Sequence, residues 1–268
     1  MSAPYVHGYG RREGERLQDQ AGALVDLLHH DTAYPPGSTV LEVGCGTGAQ
    51  TLTLARRSPG ARIVSVDVSA NSLAEARARA AGLDNVEFRQ ADIFTLPFAA
   101  GSFDHVFVCF VLEHLTRPLD ALRTLRGILR PGGSITVIEG DHGSAYFHPD
   151  DAAAREAIAC LVELQRRSGG DAMIGRRLHP LLTEAGYASV HVSPRMVYAD
   201  ASHPALVEAF TEKTFTAMIE GVRQPAIAAG LIEPARFEAG IAGLRRAAEP
   251  DGVFCYTFFK AGGRRTEA

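Results

Sequence analysis

The sequence predicts an α/β protein built on a doubly wound, mainly parallel sheet. Short runs of β-branched and apolar residues alternate with segments whose apolar residues recur at helical spacing. This alternation is typical of right-handed crossovers, which place parallel strands in the sheet and helices on both of its faces. The predicted strands are 39–43, 62–67, 86–89, 103–109 and 134–139, with predicted helices at 49–57, 71–81 and 118–129.

The chain changes character after Asp141. Helical patterns dominate from there, at 151–167, 176–185 and 203–248, and a strand interrupted by a proline is predicted at 188–197. The aromatic, β-rich run 253–259 predicts a last strand, followed by a frayed tail from residue 262.

Composition narrows the class of function. With 268 residues, 46% of them hydrophobic, the chain can bury a full core. Its 27 basic and 31 acidic residues give a net charge of -4, which removes the usual electrostatic reason to expect a nucleic-acid partner. The four cysteines form no CxxC pair, and no apolar run resembles a signal peptide or a membrane span. We therefore expect a soluble, cytoplasmic protein that contacts neither nucleic acid nor membrane.

A glycine-rich segment follows the first predicted strand and opens a helix. In Gly44 to Gly48, glycines let the backbone approach a ligand closely while free N–H groups face it. The pattern also fits dinucleotide binding, with Asp67 where a ribose-binding acid should stand. A purely structural alternative makes the glycines a tight turn, Asp67 a helix cap and Asp92 a loop residue. Glu42 argues against a dinucleotide, because its charge would lie beside a pyrophosphate.

Two further segments complete a recognisable set. Asp92 follows the third strand, where an acid can accept an adenine amino group, and Arg130 to Gly133 turns directly into the fifth strand. With Glu42 and the glycine segment, these motifs resemble those of the class I S-adenosylmethionine-dependent methyltransferases, over residues 39–140. The resemblance implies a Rossmann-like sheet of seven strands, with 253–259 antiparallel beside the fifth strand and a helical lid inserted before it.

The resemblance also implies a domain layout and a set of cofactor contacts. One domain over 1–268 would comprise an N-terminal lid helix (1–36), a cofactor-binding core (37–140) and acceptor-side helical insertions (141–186 and 199–250). S-adenosylmethionine would be the cofactor. The residues implied to contact it are Tyr9 in the lid; Glu42, Gly44, Cys45, Gly46 and Gly48 at the methionine part; Asp67 at the ribose; Val68, Asp92 and Ile93 at the adenine; and Cys109, Phe110 and His114 near the sulfonium or shaping the pocket. For His114 a packing and capping role is equally open.

The acceptor side should lie after the fourth and fifth strands. Asp141, His142 and His148 fall at the carboxyl end of the fifth predicted strand, and two histidines with a carboxylate could bind a divalent metal and leave positions for substrate. Alternatively, Asp141 caps the next helix, His142 is a lone acid–base residue and His148 lies on the surface. Arg195 is a candidate clamp for a substrate carboxylate, as are Arg176 and Arg177.

The acceptor-side segments are similar to those of a subgroup that includes 2-oxo acid C-methyltransferases. These segments are 139–149, 194–198, 212–221 and 254–260. The similarity implies methylation of the carbon next to a keto group, with His142 or His148 as base and a metal-stabilised enolate. Two alternatives stay open: O- or N-methylation of a quinone, phenol or other secondary metabolite, and a non-catalytic cofactor-binding domain. Either way, the expected partner is a small-molecule acceptor, and the protein is a monomer or homodimer.

Overall fold

The computed structural model describes residues 24–266, and they form an α/β structure around one eight-stranded sheet. The strand order is β3-β2-β1-β4-β5-β8-β6, and β7 pairs with β8 along its other edge. The strands are β1 (Thr39–Val43), β2 (Arg62–Asp67), β3 (Val86–Gln90), β4 (Phe103–Cys109), β5 (Leu129–Gly140), β6 (Tyr146–His148), β7 (Ala188–Ala199) and β8 (Val253–Arg264).

The predicted fold class and the antiparallel last strand are confirmed. The pairs of β1 with β2 and β4, of β2 with β3, and of β4 with β5 are parallel, whereas β8 runs antiparallel to β5 and β7. The strand beyond the seven expected is β6, a three-residue strand that pairs with the start of β8, while β5 pairs with its later part.

Helices cover both faces of the sheet. They are α1 (Ala49–Arg57), α2 (Ala70–Arg79), α3 (Pro118–Ile128), α4 (Ala152–Arg167), α5 (Leu178–Glu184), α6 (the consecutive segments Pro204–Leu206, Val207–Thr216 and Ala217–Gly221), α7 (Arg223–Ala228) and α8 (Pro234–Arg246). Residues 24–29 are also helical, and short 3-10 turns span Leu112–His114, His142–Ser144 and Ile174–Arg177. No helix within the described range 24–266 is both long and apolar enough to cross a membrane.

The central strands are apolar on both faces because helices cover both. Val40 and Leu41 are adjacent and fully buried, yet they belong to different core clusters. Val40 packs in the layer that contains Leu54 of α1, and Leu41 packs in the layer that contains Leu122 of α3. Burial on both faces explains why such strands read as continuous apolar runs.

The last strand extends further than the sequence predicted. Gly262 and Gly263, predicted to begin a frayed tail, pair with Thr136 and Ile135 inside the sheet. At Gly262, an added Cβ would lie 2.5 Å from the His191 ring. The glycine therefore permits close packing between β8 and β7, and it does not mark a loose end.

Candidate active site

The glycine loop lies between β1 and α1 at the carboxyl end of the sheet. Gly44, Gly46 and Gly48 have φ values of 69°, 52° and 83°, a region that residues with a Cβ disfavour. A Cβ on Gly44 would come 2.4 Å from Val111, whereas no atom lies within 4 Å of a Cβ built on Gly46. The loop is thus packed against the segment after β4 and presents open backbone at Gly46.

Asp67 ties this loop to the end of β2. Its Oδ2 accepts the N–H of Gly46 at 2.9 Å, and its Oδ1 accepts the N–H of Ser69 at 2.9 Å. The next residue, Val68, is one of the few large apolar side chains that are exposed, at 43%. A carboxylate beside an uncovered apolar side chain suits a ribose and the planar ring attached to it.

Glu42 is buried beneath the loop. Its Oε2 accepts the hydroxyls of Thr51 and Ser65, both at 2.6 Å. Burial raises the pKa of this carboxyl to about 7, although the two hydrogen bonds act in the opposite direction. A neighbouring cation would stabilise the ionised form of this carboxyl. The ammonium of a methionine group would be such a cation.

The remaining predicted cofactor residues lie at the ends of β3 and β4. Asp92 Oδ1 accepts the N–H of Phe94 at 2.9 Å, and Ile93 is buried, so both belong to an ordered turn. Burial raises the pKa of the Cys45 and Cys109 thiols far above their ordinary range, which makes them packing groups and not nucleophiles. Tyr9 lies outside the described residues.

The turn after β4 is held by a carboxyl group that the sequence did not single out. Phe110 has a left-handed φ of 57°, and the following N–H groups of Val111 and Leu112 both donate to Glu139 Oε1, at 3.0 and 2.7 Å. Glu139 is fully buried at the end of β5. Burial and the nearby charge of Glu113 raise its pKa well above the ordinary range.

A buried polar cluster surrounds this turn. Glu113 accepts a hydrogen bond from Gln165 Nε2 at 3.1 Å, and its Oε2 lies 3.7 Å from His142 Nε2. The other ring nitrogen, His142 Nδ1, is 2.8 Å from the hydroxyl of Tyr256. We call these side chains, Glu113, Glu139, His142, Gln165 and Tyr256, the polar cluster. His114 lies at its margin, with Nε2 3.6 Å from Glu113 Oε1.

The predicted metal site of Asp141, His142 and His148 is wrong. Arg176 occupies the Asp141 carboxylate with two hydrogen bonds, of 2.6 and 2.8 Å. His148 lies on β6, pairs with Val253 of β8 and is exposed. Within residues 24–266, no group of three His, Cys, Asp or Glu side chains has the arrangement of a metal site.

Arg195, predicted to clamp a substrate carboxylate, is paired with a carboxylate of the chain itself. Its Nη2 lies 2.5 Å from Asp31 Oδ2, and Lys260 Nζ lies 2.5 Å from the other oxygen of the same carboxylate. Arg195 also contacts His30 and the Leu27 carbonyl. Arg195 on β7 and Lys260 on β8 thus both bind Asp31, which follows helix 24–29. These ion pairs connect the end of that helix to the two strands.

Comparisons with known proteins agree with this site. The family described as "Methyltransferase domain" matches residues 41–137. The chain is 30% identical to the demethylmenaquinone methyltransferase of Lactococcus lactis over 209 residues, which are 69% of this chain and 83% of that protein. It is 36% identical to the trans-aconitate 2-methyltransferase of Deinococcus radiodurans over 158 residues, 58% of this chain and 57% of the relative.

A solved structure shares the fold. The structure of the [4+2]-cyclase SpnF aligns with 95% of this chain and 82% of its own, with a TM-score of 0.54 and 22% identity. The chain spans only 41% to 57% of the length of several curated relatives that it matches. The chain belongs to the class I S-adenosylmethionine-dependent methyltransferases.

The described residues fit that cofactor. Gly46 offers open backbone, Asp67 lies beside the exposed Val68, and burial raises the pKa of the Glu42 carboxyl to about 7. The individual contacts with the cofactor stay predictions for every one of these residues: Glu42, the glycine loop with Cys45, Asp67, Val68, Asp92, Ile93, Cys109, Phe110 and His114.

Proposed function

We propose that the protein methylates a small molecule at the carbon next to a keto group, with a 2-oxo acid as the first candidate acceptor. The observation that carries this proposal is the position of His142. It is buried at the carboxyl end of β5, between the hydroxyl of Tyr256 and the carboxylate of Glu113. A histidine held in this way has the geometry of a general base.

The proposed deprotonation uses one tautomer of His142. With the proton on Nδ1, the ring donates to the Tyr256 oxygen, and Nε2 carries the lone pair. The C–H bond next to the keto group breaks, its proton moves to Nε2, and its electron pair forms the enolate of the acceptor. Glu113, 3.7 Å from Nε2, stabilises the resulting imidazolium.

S-adenosylmethionine, when bound, supplies an electrophilic methyl group. The enolate carbon forms the new C–C bond as the methyl–sulfur bond breaks. The chain's own contribution is alignment, through the glycine loop on one side and the polar cluster on the other. No step uses a metal bound by Asp141, His142 and His148.

Aromatic side chains border the proposed base. The Phe215 ring lies edge-on to His142, with centroids 6.4 Å apart, and the centroid of the Tyr256 ring lies 5.8 Å from that of His142. Rings at these positions keep water from an enolate, which would otherwise recover a proton before it reacts with the methyl group.

A second candidate acceptor is a quinol. It is favoured by the similarity to a relative whose name specifies demethylmenaquinone, over 83% of that relative's length. A phenolic hydroxyl could lose its proton to His142 just as an enolisable ketone could. Methylation would then fall on a ring carbon or on oxygen.

The test is an acceptor panel. We would incubate the protein with S-adenosylmethionine and 2-oxobutyrate, phenylpyruvate, 1,4-naphthoquinol or catechol, with and without a chelator, and locate the new methyl group by NMR. The expected product is a 2-oxo acid methylated next to the keto group, with equal yield in both conditions. A methylated quinol would favour the second candidate instead, and cofactor binding without any product would favour a non-catalytic domain.

A second measurement isolates the proton transfer. In D₂O, with S-adenosylhomocysteine in place of the methyl donor, the protein should exchange the hydrogens next to the keto group of 2-oxobutyrate. The His142→Gln variant is the matched control and should not exchange them. Exchange at the same rate in both proteins would rule out His142 as the base.

A further inference from the structure

The helix α6 contains an unusual segment. Residues Val207–Thr216 form ten residues of π-helix between two short α-helical ends. The N–H of Ala217 bonds to the carbonyl of Glu212, and the Thr214 hydroxyl bonds to the carbonyl of Ala209 at 2.7 Å, each five residues back. Wider helical turns of this kind are rare and are frequent at functional sites.

Two hydroxyls on this segment have no hydrogen-bond partner among the residues that the structure describes. Thr211 is 0% exposed and Thr216 is 3% exposed, and neither Oγ1 has a partner within residues 24–266. Thr214, on the same segment, is buried but bonded. A buried polar group without a partner costs free energy, so two on one helix call for an explanation.

The π-helical geometry brings these two hydroxyls to one face. In an α-helix, residues five apart are turned by about 140° from each other, whereas i to i+5 bonding places them nearly in line. Thr211 and Thr216 therefore lie closer to one line along the helix than they would in an α-helix, and Thr216 directly follows Phe215. The Phe215 ring contacts His142 and also Tyr256, whose ring centroid is 5.5 Å away.

The oxygen atoms of the acceptor need hydrogen-bond donors, and the three candidate arginines are already paired with carboxylates. Each arginine that the sequence offers as a clamp for a substrate carboxylate is bound to a carboxylate of this chain: Arg176 to Asp141, Arg177 to Asp171 and Arg195 to Asp31. The π-helix reaches His142 through the Phe215 ring, and the same helix carries the two unpartnered hydroxyls.

We propose that Thr211 and Thr216 form a binding pair for the oxygen atoms of the acceptor, on the helix whose Phe215 ring contacts His142. Their hydroxyls donate to the carboxylate and keto oxygens and orient the carbon that loses its proton. This assignment rests on the proposed function, and it deepens it by naming the neutral donors that recognise an oxygen-rich acceptor. The π-helix is the backbone feature that makes the pair.

The test compares three substitutions that change shape little. Thr211→Val and Thr216→Val each remove an unpartnered hydroxyl, and Thr214→Val, the matched control, removes one already bonded within the helix. Binding of 2-oxobutyrate to protein saturated with S-adenosylhomocysteine would be measured by calorimetry. We expect the Kd of 2-oxobutyrate to rise roughly tenfold in each of the first two variants and to stay unchanged in the control.

Two further measurements separate binding from folding. Thr211→Val and Thr216→Val should have a Tm at least equal to that of the unsubstituted protein, because no hydrogen bond within residues 24–266 is lost. Their affinity for S-adenosylmethionine should be unchanged. Equal 2-oxobutyrate affinity in all proteins would overturn the binding pair while leaving the proposed function intact. Failure of the unsubstituted protein to bind 2-oxobutyrate would overturn both.

Discussion

The cofactor side and the acceptor side of this site are built in different ways. On the cofactor side, the glycine loop and Asp67 lie within 25 residues of each other, and the contacts that hold them run between side chain and backbone. On the acceptor side, the polar cluster draws Glu113, Gln165 and Tyr256 from distant parts of the chain. A backbone site can be encoded locally, whereas a side-chain site depends on how elements pack.

The two sides also differ in how many of their polar side-chain atoms have hydrogen-bond partners. Asp67 has hydrogen bonds on both oxygens and Glu42 has two on one oxygen. On the acceptor side, the atoms without a partner within residues 24–266 include Glu139 Oε2, Gln165 Oε1 and the two threonine hydroxyls. Unpartnered buried groups are expected where a ligand completes the structure. The variants that follow should therefore separate binding of the cofactor from chemistry on the acceptor.

The largest expected effect is on the acceptor side. Replacing His142 by alanine removes the proposed base, so kcat should fall by about 10² to 10⁴. The affinity for S-adenosylmethionine should not change, because His142 lies in the polar cluster and not in the glycine loop. Steady-state rates and calorimetry check both quantities. An unchanged kcat would show that His142 is not the base, and the proposed difference in function between the two sides would not hold.

A structural effect is expected where the two sides meet. Glu139→Leu leaves two buried N–H groups without an acceptor, which should lower the free energy of unfolding by about 2–4 kcal/mol in urea titrations. Glu139→Gln keeps an oxygen for both N–H groups and resembles the protonated acid, so it should lose much less. Equal losses in the two variants would show that Glu139 acts through a charge.

A smaller effect is expected on the cofactor side. Asp67→Ala should weaken S-adenosylmethionine binding roughly 10- to 100-fold, since it removes a charged hydrogen-bond acceptor. Asp92→Asn, which retains an oxygen able to accept from Phe94, is the milder comparison. For both variants, kcat at saturating cofactor should stay near that of the unsubstituted protein. A large fall in kcat for Asp67→Ala would mean that the two sides are not separable.

The smallest expected effect is a pH dependence at Glu42. Because its pKa is raised to about 7, the carboxyl is mostly neutral at pH 6 and attracts a cation weakly. Cofactor affinity should rise as the pH increases through 7, by no more than about tenfold per pH unit, with protons released on binding. Calorimetry in buffers of different ionisation enthalpy measures both. Glu42→Gln should flatten the profile, and an equally steep profile in that variant would assign the titration elsewhere.

The same group gives a stability trend of known sign. The folded state holds the Glu42 proton up to about pH 7, whereas the unfolded chain releases it near its ordinary value of 4.5. The contribution of this group to stability is therefore greatest below pH 4.5 and declines as the pH rises to 7. Urea titrations of the unsubstituted protein and of Glu42→Gln would show this difference.

Much of the sheet could be predicted because its signals are local. Continuous apolar runs and the glycine loop located β1, β2, β4 and their connections. The glycines at 262 and 263 misled the prediction, since they continue β8 and permit contact with His191. Some side chains on a strand contact a residue of another element, as Arg195 contacts Asp31. The partner of such a side chain cannot be predicted from residue spacing within one segment.

By itself, the sequence determined the fold class, the strand that ends in Glu42 and Val43, the left-handed glycine turns and the cofactor that this combination implies. These features follow from backbone conformation and burial, which neighbouring residues encode. Only the tertiary structure decided that Asp141 pairs with Arg176, that His142 lies between Glu113 and Tyr256, and that the buried hydroxyls of Thr211 and Thr216 have no partner within residues 24–266. Those outcomes depend on which distant side chains meet when the helices close over the sheet, and no local pattern specifies them.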